Sequence, residues 1–596
     1  MPVEMFSRNA FPMIKDDSAY FFTLAPHSFQ WYVLQKIRTG KDDVYNFPKL
    51  ELEQWEDIMN PEAKAELENV ILPDFLQKRK WFQGQDRKIF HVSIQNDVQL
   101  PVDGKTVFFL LIDVAYESGL PETYQLAITY LKGEESDRIA LTCPEAVISN
   151  MVIGGKEVLL CDAFYTSETQ QFLIRKLAGN EELNIGEYTV IFKSKEQVGS
   201  YVNAHRTILS KMHTGDEYNT SITFDNKFFL KMYRKLDPAV NPDVEVSKFL
   251  SEDAGFPHVP GFLGTMEWST HRGMVTMGLL QVLIENHGDG QSFMIERLNN
   301  YAERIMARKK ESIDPYERKG TLISPVGFEE LSSELQSLLG SRTAELATLI
   351  GKRTAEIHII LSEAIQKDFK PEEYSLHYQR SLYSTMQSLV RESYDNFNKY
   401  YESFPEDVKS EVNILKGKKE QLLDKLKLIY ATKLDIVKTR THGTFGLKKL
   451  LLTGKDIVIH DFGGKPHRSF STRRIKRSPI RDIAEMVTSF HYTAYEAFFK
   501  NDHISRSELP SLLPYAEMWA HYMSGFFVNA YFEAVRGTAL VPKDNRHLET
   551  VLHTFLLEKS LVHLNRELTE GTQWSLVPLR IIKSVLGIKE EAGVSA

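Results

Sequence analysis

Cysteine is nearly missing: Cys143 and Cys161 are the two thiols in 596 residues. Two thiols cannot build a disulfide framework or a cysteine-rich zinc site. Their separation fits no redox motif, so both are expected as buried free thiols. Long apolar runs are missing too. The most apolar stretch, residues 107–114 (VFFLLIDV), is far too short to span a bilayer and carries an Asp, so it reads as a buried strand. A basic excess is also lacking, with 72 Lys and Arg against 80 Asp and Glu and a net charge of -8. A duplex-DNA binder needs at least a local basic surplus. The first residues, MPVEMFSRNAFPMIKDD, show no basic region followed by an apolar core and a small-residue cleavage site, so a cytoplasmic location is expected. These absences point away from membrane and nucleic acid as partners. What remains is ordinary globular composition, 42% hydrophobic, 26% charged and 11% aromatic, in a chain long enough for about three to five domains.

Residues 20–24 (YFFTL) and 29–34 (FQWYVL) read as two strands joined by Ala25-Pro26-His27-Ser28. A lone hairpin is marginal in water, so this piece needs a partner surface. Short helices are expected at 50–60 and 71–78, then strands at 89–94, 106–116, 123–131, 146–151 and 158–163, giving an antiparallel sheet with helices to one side. Residues 220–224 and 227–233 are separated by Asp225-Asn226 and predict a tight hairpin. Asn241 and Pro242 predict the cap and first position of a helix over 244–250, and 275–284 reads as a later strand. From about 291 the pattern is mostly helical, with a long amphipathic helix expected over 408–434. One hairpin interrupts it, 447–452 and 456–460 around Thr453-Gly454. Ser478-Pro479 then opens a helix with Ile480, Ile483, Ala484, Val487, Phe490, His491 and Ala494 on one face.

Two constellations could carry chemistry. Lys231 lies in the strand FFLKMY and Glu245 follows in a helix. A strand lysine paired with a helix glutamate is how a kinase fold holds nucleotide phosphates, although spacing alone favours a surface lysine on an edge strand. Asn219, Thr220 and Ser221 precede the hairpin, where backbone N–H groups could cover phosphates. The second constellation is RTHGTFGLKKLLLTGKDIVIHDFGGKPHRSFSTRRIKRSPIR, residues 440–481. A loop with His442 and Gly443, a hairpin, then Asp461-Phe462-Gly463 is the layout of a catalytic loop followed by a metal-binding aspartate. Gly454-Lys455 is a turn rather than a P-loop, because the glycine spacing and the following Ser or Thr are missing. The basic ridge Arg473, Arg474, Lys476, Arg477 and Arg481 sits at a helix start, where anions are favoured; a solvated charged face is the alternative.

These residues resemble a known family. The segment RTHGTFGLKKLLLTGKDIVIHDFGGKPHRSFSTRRIKRSPIRDIAEMVTSFHY resembles the catalytic segment of bacterial maltokinases. Residues 72–87 (LPDFLQKRKWFQGQDR) resemble the maltokinase cap motif, and 228–246 the kinase N-lobe strand and helix. GKRTAEIH (351–358) and WSLVPL (574–579) resemble further family segments. Residues 1–36 resemble the terminal β-domain of trehalose synthase, an amylase-like enzyme often fused in front of maltokinase. The resemblance implies an α+β, two-lobed kinase-like fold with an N-terminal α+β cap and a mainly helical C-lobe. It divides the chain into a trehalose synthase-like remnant (1–36), a cap-like region (37–204), an N-lobe (205–290) and a helical C-lobe (291–596). It implies the reaction of ATP with maltose to give maltose 1-phosphate, with ATP and Mg²⁺ as cofactors and maltose or a related glucoside as substrate. Lys231 would hold nucleotide phosphates, Glu245 would position it, Asn219, Thr220 and Ser221 would form the phosphate loop, and Asp461 would bind Mg²⁺.

Five positions depart from the family pattern. Thr444 stands where the catalytic aspartate follows His442-Gly443, and Gly446 where a histidine follows. Lys448-Lys449 replaces a Gly-Gln pair whose Gln ligates metal, and Gly463 and Lys465 replace two glutamates. Losing a positioned base costs about 10² to 10⁴ in rate, and losing metal ligands removes charge neutralisation at the β- and γ-phosphates. The expectation is a maltokinase-like protein with weak or no kinase activity. Lys448, Lys449 and Lys465, with Arg473, Arg474 and Arg477, are its candidate anion-binding residues, and a lysine partly replaces the metal. A working maltokinase with a rearranged site, and a non-catalytic module docking to a separately encoded trehalose synthase through residues 1–36, are the alternatives.

Overall fold

The computed structural model describes residues 2–4, 31–34, 50–186, 188–213, 215–270, 273–307 and 313–588. Most of the aromatic hairpin expected at 20–34 lies outside the described residues. Of that region, Tyr32–Leu34 pairs antiparallel with Pro2–Glu4. The chain divides into two compact units: Met1–Ile222 with Lys231–Pro238 and Met266–Gly278, and Thr223–Leu230 with Ala239–Thr265 and Leu279–Ala596. The class is α+β, as expected.

In the first unit, strands Leu50–Leu52, Val147–Ile153, Lys156–Asp162, Glu122–Leu131, Lys105–Tyr116 and Ile89–Val102 lie side by side in that order. Leu50–Leu52 pairs parallel with Met151 to Ile153, and the neighbours beyond pair antiparallel. The helix expected at 50–60 is therefore a strand followed by the 3₁₀ turn Trp55–Met59. Pairing in a sheet that buries Leu50 overrides local preference. Ile89–Val102 alternates buried and exposed residues along most of its length, whereas Phe108 to Ile112 are buried on both faces. Trp55, Phe75, Trp81, Phe82, Phe108 and Tyr124 share one core on this sheet. Cys161 is buried, and burial pushes its thiol pKa up; Cys143 is only partly buried, which corrects the expectation for that residue.

One charged side chain runs through this apolar unit. Arg234 is fully buried. It donates from Nε to Thr220 Oγ1 at 2.7 Å and pairs through Nη2 with Asp162. Its guanidinium lies 4.7 Å from the Trp81 ring centroid and 4.9 Å from that of Phe164. Two aromatic rings and a carboxylate replace the water it gives up. Gln125 reinforces the same region, donating to the carbonyls of Tyr233 and Met277.

A second sheet has the strand order Ser210–His213, Asn219–Phe224, Phe228–Tyr233, Gly273–Val282, Phe262–Thr270, Tyr188–Ser194, Glu182–Ile185. The Asp225-Asn226 turn has φ of +48° and +53°. Asp and Asn tolerate that left-handed region better than most residues, which is why the pair signalled a tight hairpin.

The second unit is largely helical from Gly290 onward, with Gly290–Ala307, Ser341–Ser362, Leu376–Lys399, Ile480–Phe499, Leu509–Val535 and Asn545–Glu570 as its long helices. The single helix expected at 408–434 is broken into Glu406–Lys416 and Lys419–Lys427, because Gly417 ends the first. Ile480, Ile483, Ala484, Val487, Phe490 and Ala494 are buried as their spacing predicts, while His491 is only partly so. Gly351 lets two long helices meet backbone to backbone: a Cβ there would lie 2.3 Å from the Phe527 carbonyl oxygen. Among the described residues no helix is long and apolar enough to cross a membrane.

Replacing Asp162 by Ala should strand the buried Arg234 charge. Breaking a buried pair from one side costs about 3–5 kcal/mol, read as a lower urea midpoint. Replacing both residues by apolar ones should recover much of the loss.

Candidate functional site

The hairpin of the second unit sets the geometry. Leu450–Leu452 pairs with Ile457–Ile459 in the register Leu450↔Ile459. That register carries Lys449 opposite His460, whose N–H donates to the Lys449 carbonyl at 3.1 Å. Continued one step, the register puts residue 461 opposite Lys448 and diagonal to Lys449. The Lys449 ammonium is ion-paired with the Asp461 carboxylate. Asp461 itself has φ of +70°, a conformation that is uncommon for a non-glycine residue and concentrates at functional sites. The next residue, Phe462, is buried, and its N–H donates to Asp243 Oδ1 at 2.8 Å.

The loop before the hairpin is held by a carboxylate that sequence reasoning did not single out. Asp482, on the Ile480–Phe499 helix, accepts the N–H of His442 at 2.7 Å and of Gly443 at 3.2 Å. His358 Nε2 approaches the same carboxylate at 3.4 Å, and its Nδ1 lies 2.9 Å from the Tyr531 hydroxyl. With Nε2–H turned to Asp482, Nδ1 accepts from Tyr531. Burial raises the Asp482 pKa, but the hydrogen bonds from His358 and the His442 amide outweigh it, leaving a value of about 2. Both residues were inside recognised segments, RSPIRD and GKRTAEIH. Their pairing across the fold was the part no local pattern could give.

His442 is buried, and burial lowers its pKa against the pull of Asp482 and Asp461. Its Nε2 faces the His460 carbonyl at 3.0 Å and its Nδ1 accepts the Thr444 N–H at 3.4 Å. This is the neutral imidazole with its proton on Nε2. The ring packs against Phe445 and Phe462. His442 is thus a wedge between the two loops. Gly443 has φ of +86°, and a Cβ there would lie 3.7 Å from Gly464 Cα, so the loops touch.

The other expected residues fall as follows. Lys231 is buried on Phe228–Tyr233, a strand flanked on both sides, so the surface lysine on an edge strand is excluded. Asp216 accepts from the Asn219 N–H at 3.0 Å and from the Ser221 hydroxyl at 3.0 Å. Thr220 accepts from Arg234. Glu245 accepts from Arg440 at 3.1 Å and pairs with Arg474 at 2.7 Å. Arg474 also reaches Asp368 at 3.4 Å. Arg473 donates to the Gly463 carbonyl at 3.1 Å. Lys448 is exposed, and Lys465 and Arg477 are partly buried.

Mg²⁺ takes a near-octahedral shell of oxygens. Asp461 is held by an ammonium, the Asp482 oxygens are taken by amides, and Asp243 is engaged by the Phe462 amide. Among the described residues no group of three or more His, Cys, Asp or Glu side chains could hold a metal ion. The Asp461 carboxylate would have to give up its Lys449 partner to hold Mg²⁺.

The depressed Asp482 pKa has a definite pH signature. Its folded value lies below the unfolded one, so its contribution is present above about pH 4 and is lost as pH falls through about 2. The size is about 2 kcal/mol. Asp482→Asn should flatten that limb of the acid-stability curve and loosen the 442–444 loop, read as faster amide exchange at His442 and Gly443.

Comparison with known proteins bears on the cap region and the fold. Residues 75–165 match the maltokinase N-terminal cap domain. The fold is similar to that of a glucosamine kinase solved in complex with glucosamine, ADP and inorganic phosphate, with TM-score 0.51 and 13% identity over 83% of this chain and 94% of that one. A second glucosamine kinase structure, crystal form A, gives TM-score 0.52 and 13% identity over 83% and 92%. At that identity the likeness speaks for the fold alone. A maltokinase cap domain in a chain with this fold makes it a maltokinase-like protein of the kinase fold.

Proposed function

We propose that this chain is a sugar-kinase homologue of the maltokinase type, acting in trehalose, maltose and glycogen metabolism, whose phosphoryl transfer is impaired. The observation that carries the reading is the Lys449–Asp461 ion pair. In the family pattern the aspartate and a neighbouring glutamine serve a metal; here a cation sits on the carboxylate instead. Thr444 has no carboxylate to accept a sugar proton, and the nearby Asp482 is committed to the loop backbone. A positioned base is worth about 10² to 10⁴ in rate, so its loss alone leaves residual turnover within reach of the assay.

A sugar and a nucleotide as ligands are supported by the glucosamine and ADP in the similar structure. Maltose as the sugar, ATP held at Lys231, and the domain division at 37–204, 205–290 and 291–596 rest on the family resemblance. The likeness of residues 1–36 to a trehalose synthase domain supports docking to a separately encoded trehalose synthase as an accompanying role.

The test is ADP release with maltose and ATP, run beside Thr444→Asp, Lys449→Gln and the double variant. The unmodified chain should turn over slowly, and the double variant should gain about 10² or more. Nucleotide affinity of the unmodified chain should change little when Mg²⁺ is removed, because Lys449 already supplies local positive charge. Robust activity in the unmodified chain, or strict dependence of nucleotide affinity on Mg²⁺, favours a working kinase with a rearranged site.

A further inference from the structure

Away from the candidate site, the helices Gly290–Ala307, Ser333–Leu339 and Ser341–Ser362 border a cavity of about 230 Å³. Arg297, Asn300 and Arg304 reach it from one stripe of the first helix. Arg304 ties that helix to the corner between the other two, donating to the Ser337 carbonyl at 2.8 Å. The corner is Gly340, with φ of +82°, a conformation in which a side chain would be strained. Gly340 is also the N-cap of Ser341–Ser362 and has no side chain to cap it with. The N–H groups of Ser341, Arg342 and Thr343 find no acceptor among the described residues. Arg342 completes the wall, and its side chain makes no hydrogen bond or ion pair among the described residues. No Asp or Glu lines the cavity.

Two buried donors open onto this cavity. Thr343 is 2% exposed, yet its hydroxyl makes no hydrogen bond among the described residues. The other threonines of the helix, Thr348 and Thr354, donate back to the carbonyls of Ala344 and Ile350 at 2.9 and 2.7 Å. Thr343 Oγ1 instead lies 3.7 Å from where a Cβ on Gly340 would stand, over the open end of the helix. Arg297 Nε is buried without an acceptor. Its guanidinium rests 4.9 Å from the Phe293 ring centroid, and the carboxylate it meets, Glu296, is 3.7 Å away. Buried donors left without acceptors cost free energy. We propose that this cavity is a binding site for a small phosphate-bearing anion, free phosphate or a phosphate ester. Orphan N–H groups and the positive end of the helix favour an anion there, and guanidinium groups offer paired N–H donors to phosphate oxygens. Water is a poorer fill, because it brings donors of its own to a wall whose polar groups are mostly donors. The volume lies below the about 300–1,000 Å³ of pockets for drug-sized ligands, which suits a free ion or a monosaccharide phosphate better than a nucleotide. His358, which braces the 442–443 loop through Asp482, stands about 25 Å further along the same helix. The site is therefore separate from that loop and goes beyond the function proposed above, standing whether or not the chain transfers phosphate.

The test uses the full chain without nucleotide and titrates inorganic phosphate and glucose 6-phosphate by calorimetry, with amide hydrogen exchange read in parallel. Binding at millimolar or lower concentration is expected, with slower exchange at Ser341, Arg342 and Thr343. Tighter binding of the ester identifies a sugar phosphate as the ligand; equal or weaker binding identifies the free ion. Thr343→Val should weaken binding about tenfold without lowering the urea midpoint, because the hydroxyl it removes has no partner in the fold. A lowered midpoint counts against the proposal, since the hydroxyl would then be spent inside the fold. Arg342→Gln, on an exposed side chain, should weaken binding by a similar factor. Lys449→Gln, at the candidate site, should leave the protection of 341–343 unchanged. Absence of phosphate binding, protection that spares 341–343, or unchanged affinity in both Thr343→Val and Arg342→Gln overturns the proposal. Slow or absent ADP release bears on the proposed function alone.

Discussion

A single buried carboxylate governs the shape of the candidate site. Asp482 is 1% exposed and receives two backbone amides of the loop that carries His442, Gly443 and Thr444. Charge-assisted bonds to backbone are among the strongest neutral-pH contacts a loop can have. Because the contacts are to amides rather than side chains, they hold whatever residue occupies position 444. The form of the loop is therefore independent of the Thr444 hydroxyl. Scaffold and chemistry are separable here, and only the scaffold is enforced by the core.

The same separation appears in the distribution of charge. Lys449 lies across the hairpin from the residue before Asp461, and its ammonium reaches the Asp461 carboxylate diagonally. Glu245 is likewise bound to Arg440 and Arg474, which come from either side of that hairpin in sequence. Arg440, Lys449 and Arg474 thus each sit on a carboxylate around this loop.

Much of the architecture was legible from residue pattern. The Asp225-Asn226 turn, the Asn241 cap, the hairpin after residue 447 and the buried face of Ile480–Phe499 all follow from local chemistry that acts over a few residues. Asn241 Oδ1, for instance, accepts the Asp243 N–H at 3.0 Å, as an N-cap should. The misses are of another kind. Leu50–Leu52 became a strand because a partner some hundred residues away offered an edge, and the 408–434 segment broke at Gly417 where periodicity continued across it. At the site, Thr444, Asp461 and the lysines were singled out from sequence, but Asp482, His358 and Tyr531 could not be joined. Their association depends on three helices meeting, and amphipathic spacing reports that a face is buried without saying what it meets.

The close approach at Gly351 gives those helices an unusual mechanical bond. Seven residues further along the same helix stands His358, which bridges Tyr531 on the facing helix to Asp482. With no methyl group to act as a spacer at 351, the two rods are clamped at one point and cross-braced at another. Any wedge driven in at the clamp would pry open the brace and, through Asp482, tug on the loop at 442–443. The glycine thus serves as a distant fulcrum for a site it never touches.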